Sequence, residues 1–444
     1  MGDSMKTKDM KKLLLVTALT AACVTGCGTT PSATPTGDQS TVTTSEASET
    51  TVPTRTSTPP VVPSTPISGN PASVREAFPD ADIIELIGDN LYVAVDYDFK
   101  NDSTEFFVYD SDKENVINHL SVPDCSFSFI PEVYPGEGFG IASGFTSQDV
   151  TGYFYSISEN DYSEFKFDID KKWNYWGNAA FAADGSAMYV TIDDKSICSC
   201  GYNFNPDFTT KIMAAYSDGR ESEVIEEYDH HTSVTLVGTN YDGRLIVAYT
   251  EDPNDYPKLT HQEYERLEMQ SMISNQNDTS DPIENGLAFI DPDVNGDHTL
   301  DKFALTPEGY RNITYRRGAV IYSTDNGIVR VAPDSNGVYK EVRYDITDAG
   351  YNGYEEMYVS TNGEYVVFST REDNSTDSTL YVIHFNEDAA ETVTEKSLAN
   401  KKIVFEKYYG PMMLDEVSGD FYAKYNDTTT DEFKLFPYQL NIFE

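Results

Sequence analysis

The sequence predicts an all-β fold, a β-propeller of seven four-stranded blades, on three observations. First, Tyr354–Leu398 reads as four short strands: EEMYVS, the turn Thr361-Asn362-Gly363, EYVVFST, TLYVIHF and TVTEKSL. These strands are rich in β-branched and aromatic side chains, and such a meander cannot bury both faces alone. Stacked radially with copies of itself, it makes a propeller blade. Second, the second strand of this unit recurs near residues 91, 139, 187, 244, 318, 364 and 420, and that recurrence is what a radial array requires. Third, the chain holds 31 Tyr and 23 Phe but 2 Trp, with few long helical patterns, a composition suited to sheet.

The first 26 residues read as an export signal and not as part of the fold. Lys6, Lys8, Lys11 and Lys12 form a basic start, and Leu13 to Ala22 an apolar run too short for a stable span. Val24-Thr25-Gly26-Cys27 follows. It resembles the bacterial lipobox, which implies a mature protein that begins at Cys27, carries acyl chains there (palmitate among them) and is held on the extracytoplasmic side of a membrane. Residues 28–67 are Thr, Ser and Pro with almost no apolar content. Such a segment cannot offset the entropy of ordering and reads as a disordered tether. Fully extended it reaches roughly 120 Å, which suits a Gram-positive surface.

The propeller domain is expected over residues 68–444. Blade one reads IIELIG, LYVAV, EFFVYD and VINHL; blade two SFSFIP, FGIASGF, GYFYSIS and SEFKFDI; blade three NAAFA, AMYVTI, IMAAYS and SEVIEEY. Blade four reads SVTLVG, RLIVAYT, GLAFID and LDKFAL; blade five RNITYR, AVIYST, GIVRVAP and KEVRYD. The sixth is the unit described first, and the seventh reads PMMLDEV, DFYAKY and FKLFPYQLNIF. The seventh lacks an outer strand, and a strand from residues 72–80 is expected to close the ring there, because an open ring leaves an unpaired edge. KKIVFEK at 401–407 is a spare strand that leaves counts of six and eight open. NGEYVVFST…STLYVIHF, with Asp184-Gly185 and Asp242-Gly243 before the corresponding strands, resembles the WD40-like (PD40) repeats of TolB-type propellers. That resemblance implies a ring with a central channel and binding on one face, and no particular activity.

Residues 251–285 interrupt the fourth blade. Thr260-His261-Gln262-Glu263 reads as a capping box, and Tyr264, Leu267, Met272 and Ile273 follow at helical spacing. A short helix is expected on the loop face, either packed on its own blade or covering a ligand. Trp173, Tyr175 and Trp176 lie in the loop entering the third blade; with Tyr264 they are the candidate ligand-binding residues, unless they wedge between blades as core. Asp291, Asp293, Asn295, Asp297 and Asp301 place oxygen ligands at alternate positions around Gly296. They resemble part of an EF-hand or dockerin loop for Ca²⁺, but the bidentate acid at the twelfth position is missing, and a β-hairpin loop built on Asx turns is the other reading.

The net charge of −43 argues against nucleic acid or anionic lipid as a bulk-charge partner. Cys198-Ser-Cys200 has the spacing of neither a zinc ribbon nor a redox motif, and with Cys125 these read as buried or free thiols, a Cys125 bridge to one of the pair being the other reading. Asp229-His230-His231 is the one local histidine cluster and reads as a solvated loop. No nucleophile elbow, zinc helix or phosphate loop is present. The expected function is a monomeric surface propeller binding or scaffolding a protein, peptide or envelope glycan. The alternative is an extracellular polysaccharide hydrolase or lyase using channel carboxylates.

Overall fold

The computed structural model describes residues 67–444 apart from 99, 124–131, 144–149, 171, 195–206, 254–281, 293–298, 307–309, 325–326, 347–356, 371–376, 405–411 and 431–433. The insertion helix expected near 261–274, with Tyr264, lies outside the described residues, as do Asp293, Asn295 and Asp297.

Seven antiparallel sheets of four strands form the propeller. Blade 1 is β1 (Ile83–Gly88), β2 (Leu91–Asp98), β3 (Ser103–Asp110) and β4 (Asn115–Pro123). Blade 2 is β5 (Glu132–Tyr134), β6 (Gly138–Ser143), β7 (Thr151–Ser156) and β8 (Asp161–Lys166). Blade 3 is β9 (Asn174–Phe181), β10 (Ala187–Asp193), β11 (Thr210–Tyr216) and β12 (Glu223–Tyr228). Blade 4 is β13 (Thr232–Thr239), β14 (Leu245–Glu251), β15 (Glu284–Ile290) and β16 (Asp301–Leu305). Blade 5 is β17 (Arg311–Arg316), β18 (Ala319–Thr324), β19 (Gly327–Pro333) and β20 (Tyr339–Asp345). Blade 6 is β21 (Met357–Val359), β22 (Tyr365–Thr370), β23 (Ser378–Phe385) and β24 (Ala390–Leu398). Blade 7 is β25 (Lys401–Val404), β26 (Met413–Leu414), β27 (Asp420–Asp427) and β28 (Leu435–Asn441).

The first strand of each blade is innermost. β9 packs on β13, β13 on β17, β17 on β21 and β1 on β5, and β1 meets β26 to close the circle. Burial follows the same gradient. All of β1 is buried, whereas β4 and β24 alternate mostly exposed residues. A strand packed on both faces is apolar throughout; an outer strand with one wet face is not. The seams between blades hold the large side chains, as at the junction of blades 2 and 3, where Phe154, Phe165, Phe181 and Met188 interlock. There Gly140 lies so close to the Phe181 ring that an added methyl group would overlap it. Gly140→Ala is therefore expected to cost about 2 kcal/mol by forcing that seam apart. Urea unfolding checks it; an unchanged midpoint would show that the seam yields freely.

Ring closure differs from expectation. Residues 72–80 supply no strand. Pro71–Ala77 is a helix, α1, with Asn70 as N-cap accepting from the Ser73 N–H at 3.2 Å and Pro71 in its first turn. Ile67, Val74 and Phe78 pack among Ile84, Leu86, Tyr92 and Tyr109 of blade 1 and Met413 and Tyr422 of blade 7. KKIV does not open a further blade. β25 and β26 lie in line along one edge of β27, and β28 lies along the other. Blade 7 is thus three ranks wide, with no fourth rank outside β28 among the described residues. The expected strand SFSFIP lies outside the described residues, and the first described strand of blade 2 is EVY, which follows it directly. β9 begins at Asn174, so Tyr175 belongs to a strand and not to a loop.

Candidate functional site

The polar chemistry of this propeller collects on its axis. Innermost strands can bring side chains from opposite sides of the ring together only if those chains point inward. Blades 2 and 5 are three steps apart in a ring of seven, the greatest separation possible. Even so, Glu132 of β5 and Arg316 of β17 interact electrostatically, so their attraction crosses the axis. Glu85 of β1 acts on Tyr358 of β21, and so do Arg316 and Glu416, the latter just beyond β26. Tyr175 of β9 lies within the field of Glu132. Arg316 ends its strand and Glu416 lies in the turn after β26, while Glu132 opens its three-residue strand. The cluster therefore sits toward the face carrying the first-to-second-strand turns.

Glu132 is half-buried and the other charged members are enclosed. Glu85 is 6% exposed, Arg316 9%, Arg317 8% and Glu416 8%. Burial pushes the Glu132 carboxyl up to about 8, against the opposing pull of the Tyr134 hydroxyl, which donates to it, and of the Arg316 charge. Tyr134 in turn accepts the Phe181 N–H at 2.7 Å, bolting blade 2 to blade 3. Tyr358 does the same for blades 6 and 7 by accepting the Leu414 N–H at 3.2 Å. Burial holds the hydroxyls of Tyr134, Tyr175 and Tyr358 far above the ordinary phenol range, so they remain neutral donors. Arg316 donates Nη1 to the Tyr315 carbonyl at 3.0 Å, which fixes its stem.

Glu416 lies in the turn after β26. Burial pushes its carboxyl up to about 7, opposed by the Asn362 N–H it accepts at 2.7 Å; Glu364 and Asp415 raise it further and Arg317 lowers it. Arg317 also acts on Tyr241, in the fourth blade's turn. Together these groups can hold a polar ligand by hydrogen bonds from neutral phenols, by two guanidinium forks, and by carboxyls that change protonation near neutrality.

Of the residues singled out by sequence whose side chains the structure describes, Tyr175 alone lies near this cluster. Trp173 is a core residue of the seam between blades 2 and 3, 8% exposed, with the ammonium groups of Lys172 and Lys211 4.9 and 4.6 Å from its ring. Tyr175 is 5% exposed, packs in the same seam and lies within the field of Glu132. The side chain of Trp176 lies outside the described residues. Of the expected calcium set, Asp291 is exposed and Asp301 accepts from Arg244 Nη1 at 3.4 Å. No group of metal-ligating side chains occurs among the described residues. A cleft of about 340 Å³ lies off the axis, between the α1 end (Arg75, Phe78, Asp80) and blade 7 (Lys424, Leu435, Pro437). Its Arg75 is already stacked 4.3 Å from the Tyr422 ring.

No protein-family model and no curated protein matches the sequence. Solved structures do. A prolyl endopeptidase covers 84% of this chain at 11% identity with a TM-score of 0.43, and the chain spans 53% of that protein. An acylaminoacyl peptidase from Pyrococcus horikoshii covers 79% at 12% identity and 0.41, with 49% of its own length spanned. An oligogalacturonate lyase from Vibrio parahaemolyticus covers 77% at 10% identity and 0.42, with 85% of its length spanned. The chain thus spans about half the length of the two peptidases. At these identities and scores no activity is carried across from any of them.

Proposed function

We propose that this chain is a lipid-anchored extracytoplasmic binding module that holds its ligand in the axial channel of the propeller. The observation that supports this most is the cross-axis pair Glu132–Arg316 among buried tyrosines. Propeller blades cohere through apolar seams, and enclosed charges on the axis cost free energy that the fold itself does not require. Such groups persist where they serve a ligand. A rigid ring with pre-set polar groups is also the arrangement that binds at low ordering cost.

The test is retention of a soluble digest of the producing cell's own envelope on the immobilised mature chain. Wild type should retain a glycan or peptide component, and Arg316→Met, folded by circular dichroism, at least tenfold less. Equal retention by both would place the ligand off the axis. A second reading, a polysaccharide hydrolase or lyase, is favoured by one observation: Glu132 keeps its proton to about pH 8, as a general acid must. Release of reducing ends from the digest by wild type, and its loss in Glu132→Gln, would replace the binding reading with that one.

The anchor rests on the Val24–Cys27 motif. In Cys27→Ala, palmitate labelling should vanish and the protein should move from the membrane fraction to the medium. A variant that stays in the membrane fraction would mean the thiol carries no anchor.

A further inference from the structure

Among the described residues, Arg317 is an enclosed charged residue held at positive φ. β17 and β18 are joined by the two-residue turn Arg317-Gly318, with φ of 46° and 87°. This is the mirror-image hairpin turn in which Asn-Gly is favoured, because both central residues take positive φ. Seven non-glycine residues have positive φ among those described, and five are Asn or Asp, which tolerate it. Of the other two, Glu114 sits exposed in an outer turn, whereas Arg317 is 8% exposed. Strain at an enclosed charged residue points to a use for the side chain.

The Arg316-Arg317 turn packs against Gly363 of the sixth blade, whose neighbour Asn362 donates its N–H to Glu416 of the seventh at 2.7 Å, so the Arg317 charge acts on Glu416 and on Tyr241 of the fourth. Glu416 is half-committed. Its Oε1 accepts the Asn362 N–H at 2.7 Å, while its Oε2 is buried with no donor among the described residues. Asp415 and Glu364 also face it. A guanidinium charge therefore acts on a carboxyl one of whose oxygens lacks a donor among the described residues.

We propose that Arg317 and Glu416 together receive an α-amino carboxylate, the carboxylate on the guanidinium and the ligand N–H on Glu416 Oε2. This rests on the reading that the ligand occupies the channel, and it names the ligand's class: a free amino acid or the C-terminal residue of a peptide. The pairing satisfies the orphan oxygen, which a simple anion would leave unmet. It also suits the charge of the whole molecule, since −43 repels a polyanion but not a zwitterion.

The experiment uses the full mature chain, thermal unfolding and calorimetry, with three probes: a mixture of free L-amino acids, a pooled tripeptide library with free C-termini, and its C-terminally amidated twin. Either free-carboxylate probe should raise the wild-type Tm by several degrees, and which one does so separates the two sources. The amidated library should not raise it. Arg317→Asn, which suits the turn, should unfold at an equal or higher temperature than wild type and yet lose the ligand shift. Glu416→Gln should bind at least tenfold more weakly. No shift with any probe, or equal binding of acid and amide, overturns the proposal. If the probes fail while the envelope component is still retained by wild type and lost in Arg316→Met, the class is wrong and the channel stands. If that retention is absent too, both fall.

Discussion

Deleting residues 67–78 should leave the seven blades without a closed ring and lower stability by at least about 5 kcal/mol, comparable to the whole margin of many domains. The segment is short, but it touches both ends of the circle. Val74 is 0% exposed and Ile67 8%, and burying side chains of this size contributes about 1.5–3 kcal/mol each. Hydrogen bonds add to this: the Asn90 N–H donates to the Ser68 carbonyl at 2.7 Å, and the Asn70 N–H to Ser111 Oγ at 3.2 Å. On the far side, Arg75 lies 4.3 Å from the Tyr422 ring centroid. Removing all of this exposes Leu86, Tyr92 and Met413 along a seam that has no other cover among the described residues. The measurement is chemical unfolding followed by both tyrosine fluorescence and far-ultraviolet dichroism. The two probes should cease to coincide as blades 1 and 7 fray first. Val74→Asp should reproduce much of the effect, because it leaves a carboxylate unpaired inside the seam. A deletion variant with an unaltered midpoint would mean that β1 against β26 closes the ring unaided.

How much of this was legible in the sequence depends on how far apart the interacting residues lie. The middle strands of each blade could be read directly. LYVAV, AMYVTI and YVVFS are short β-branched and aromatic runs next to turn residues, and a local pattern suffices for them. The closure could have been read, since Asn70-Pro71 is a cap followed by a first-turn proline. The expectation of a closing strand overrode a correct local signal. EVY is three residues long and carries too little pattern to be read alone, and the SFSFIP run before it lies outside the described residues. The channel site was not legible. Glu132, Arg316 and Glu416 are each unremarkable in sequence, and only the closed ring brings them together. One trace of it was present all the same. The turn before the second strand carries Asp, Asn, Glu or Ser beside glycine in most blades, but Arg317 in the fifth. Trp173 shows the converse: a conspicuous aromatic on paper that serves the core.

Between pH 5 and pH 8 the folded state should lose on the order of 3–5 kcal/mol of stability, more than surface carboxylates account for. The sign follows from two acids whose carboxyls burial pushes up, Glu416 enclosed and Glu132 half-buried. Glu132 rises to about 8 and Glu416 to about 7 on folding, both from an ordinary value of 4.5. Within that window the folded protein keeps protons that the unfolded chain has released. Raising the pH therefore forces ionisation of carboxyls inside the channel, and stability falls until each folded value is passed. Acids held low work at the other end. Asp98, stabilised by the Lys100 N–H, and Asp334, by the Val338 N–H, lose their contribution only as pH falls through the carboxylate range. Stability should thus peak near pH 5 and decline on both sides. Urea midpoints at pH 5, 6.5 and 8 measure the alkaline limb. Glu132→Gln should flatten that limb and make the variant more stable than wild type at pH 8, because an amide can accept the Tyr134 hydroxyl without ionising. A wild-type limb as flat as the variant's would mean that Glu132 ionises at no cost. The same comparison bears on the ligand. Once ionised, Glu132 pairs fully with Arg316 and removes a guanidinium from the channel. Retention of the envelope component should then weaken across this pH window in wild type but not in Glu132→Gln, which ties the buried proton to binding through one measurable group.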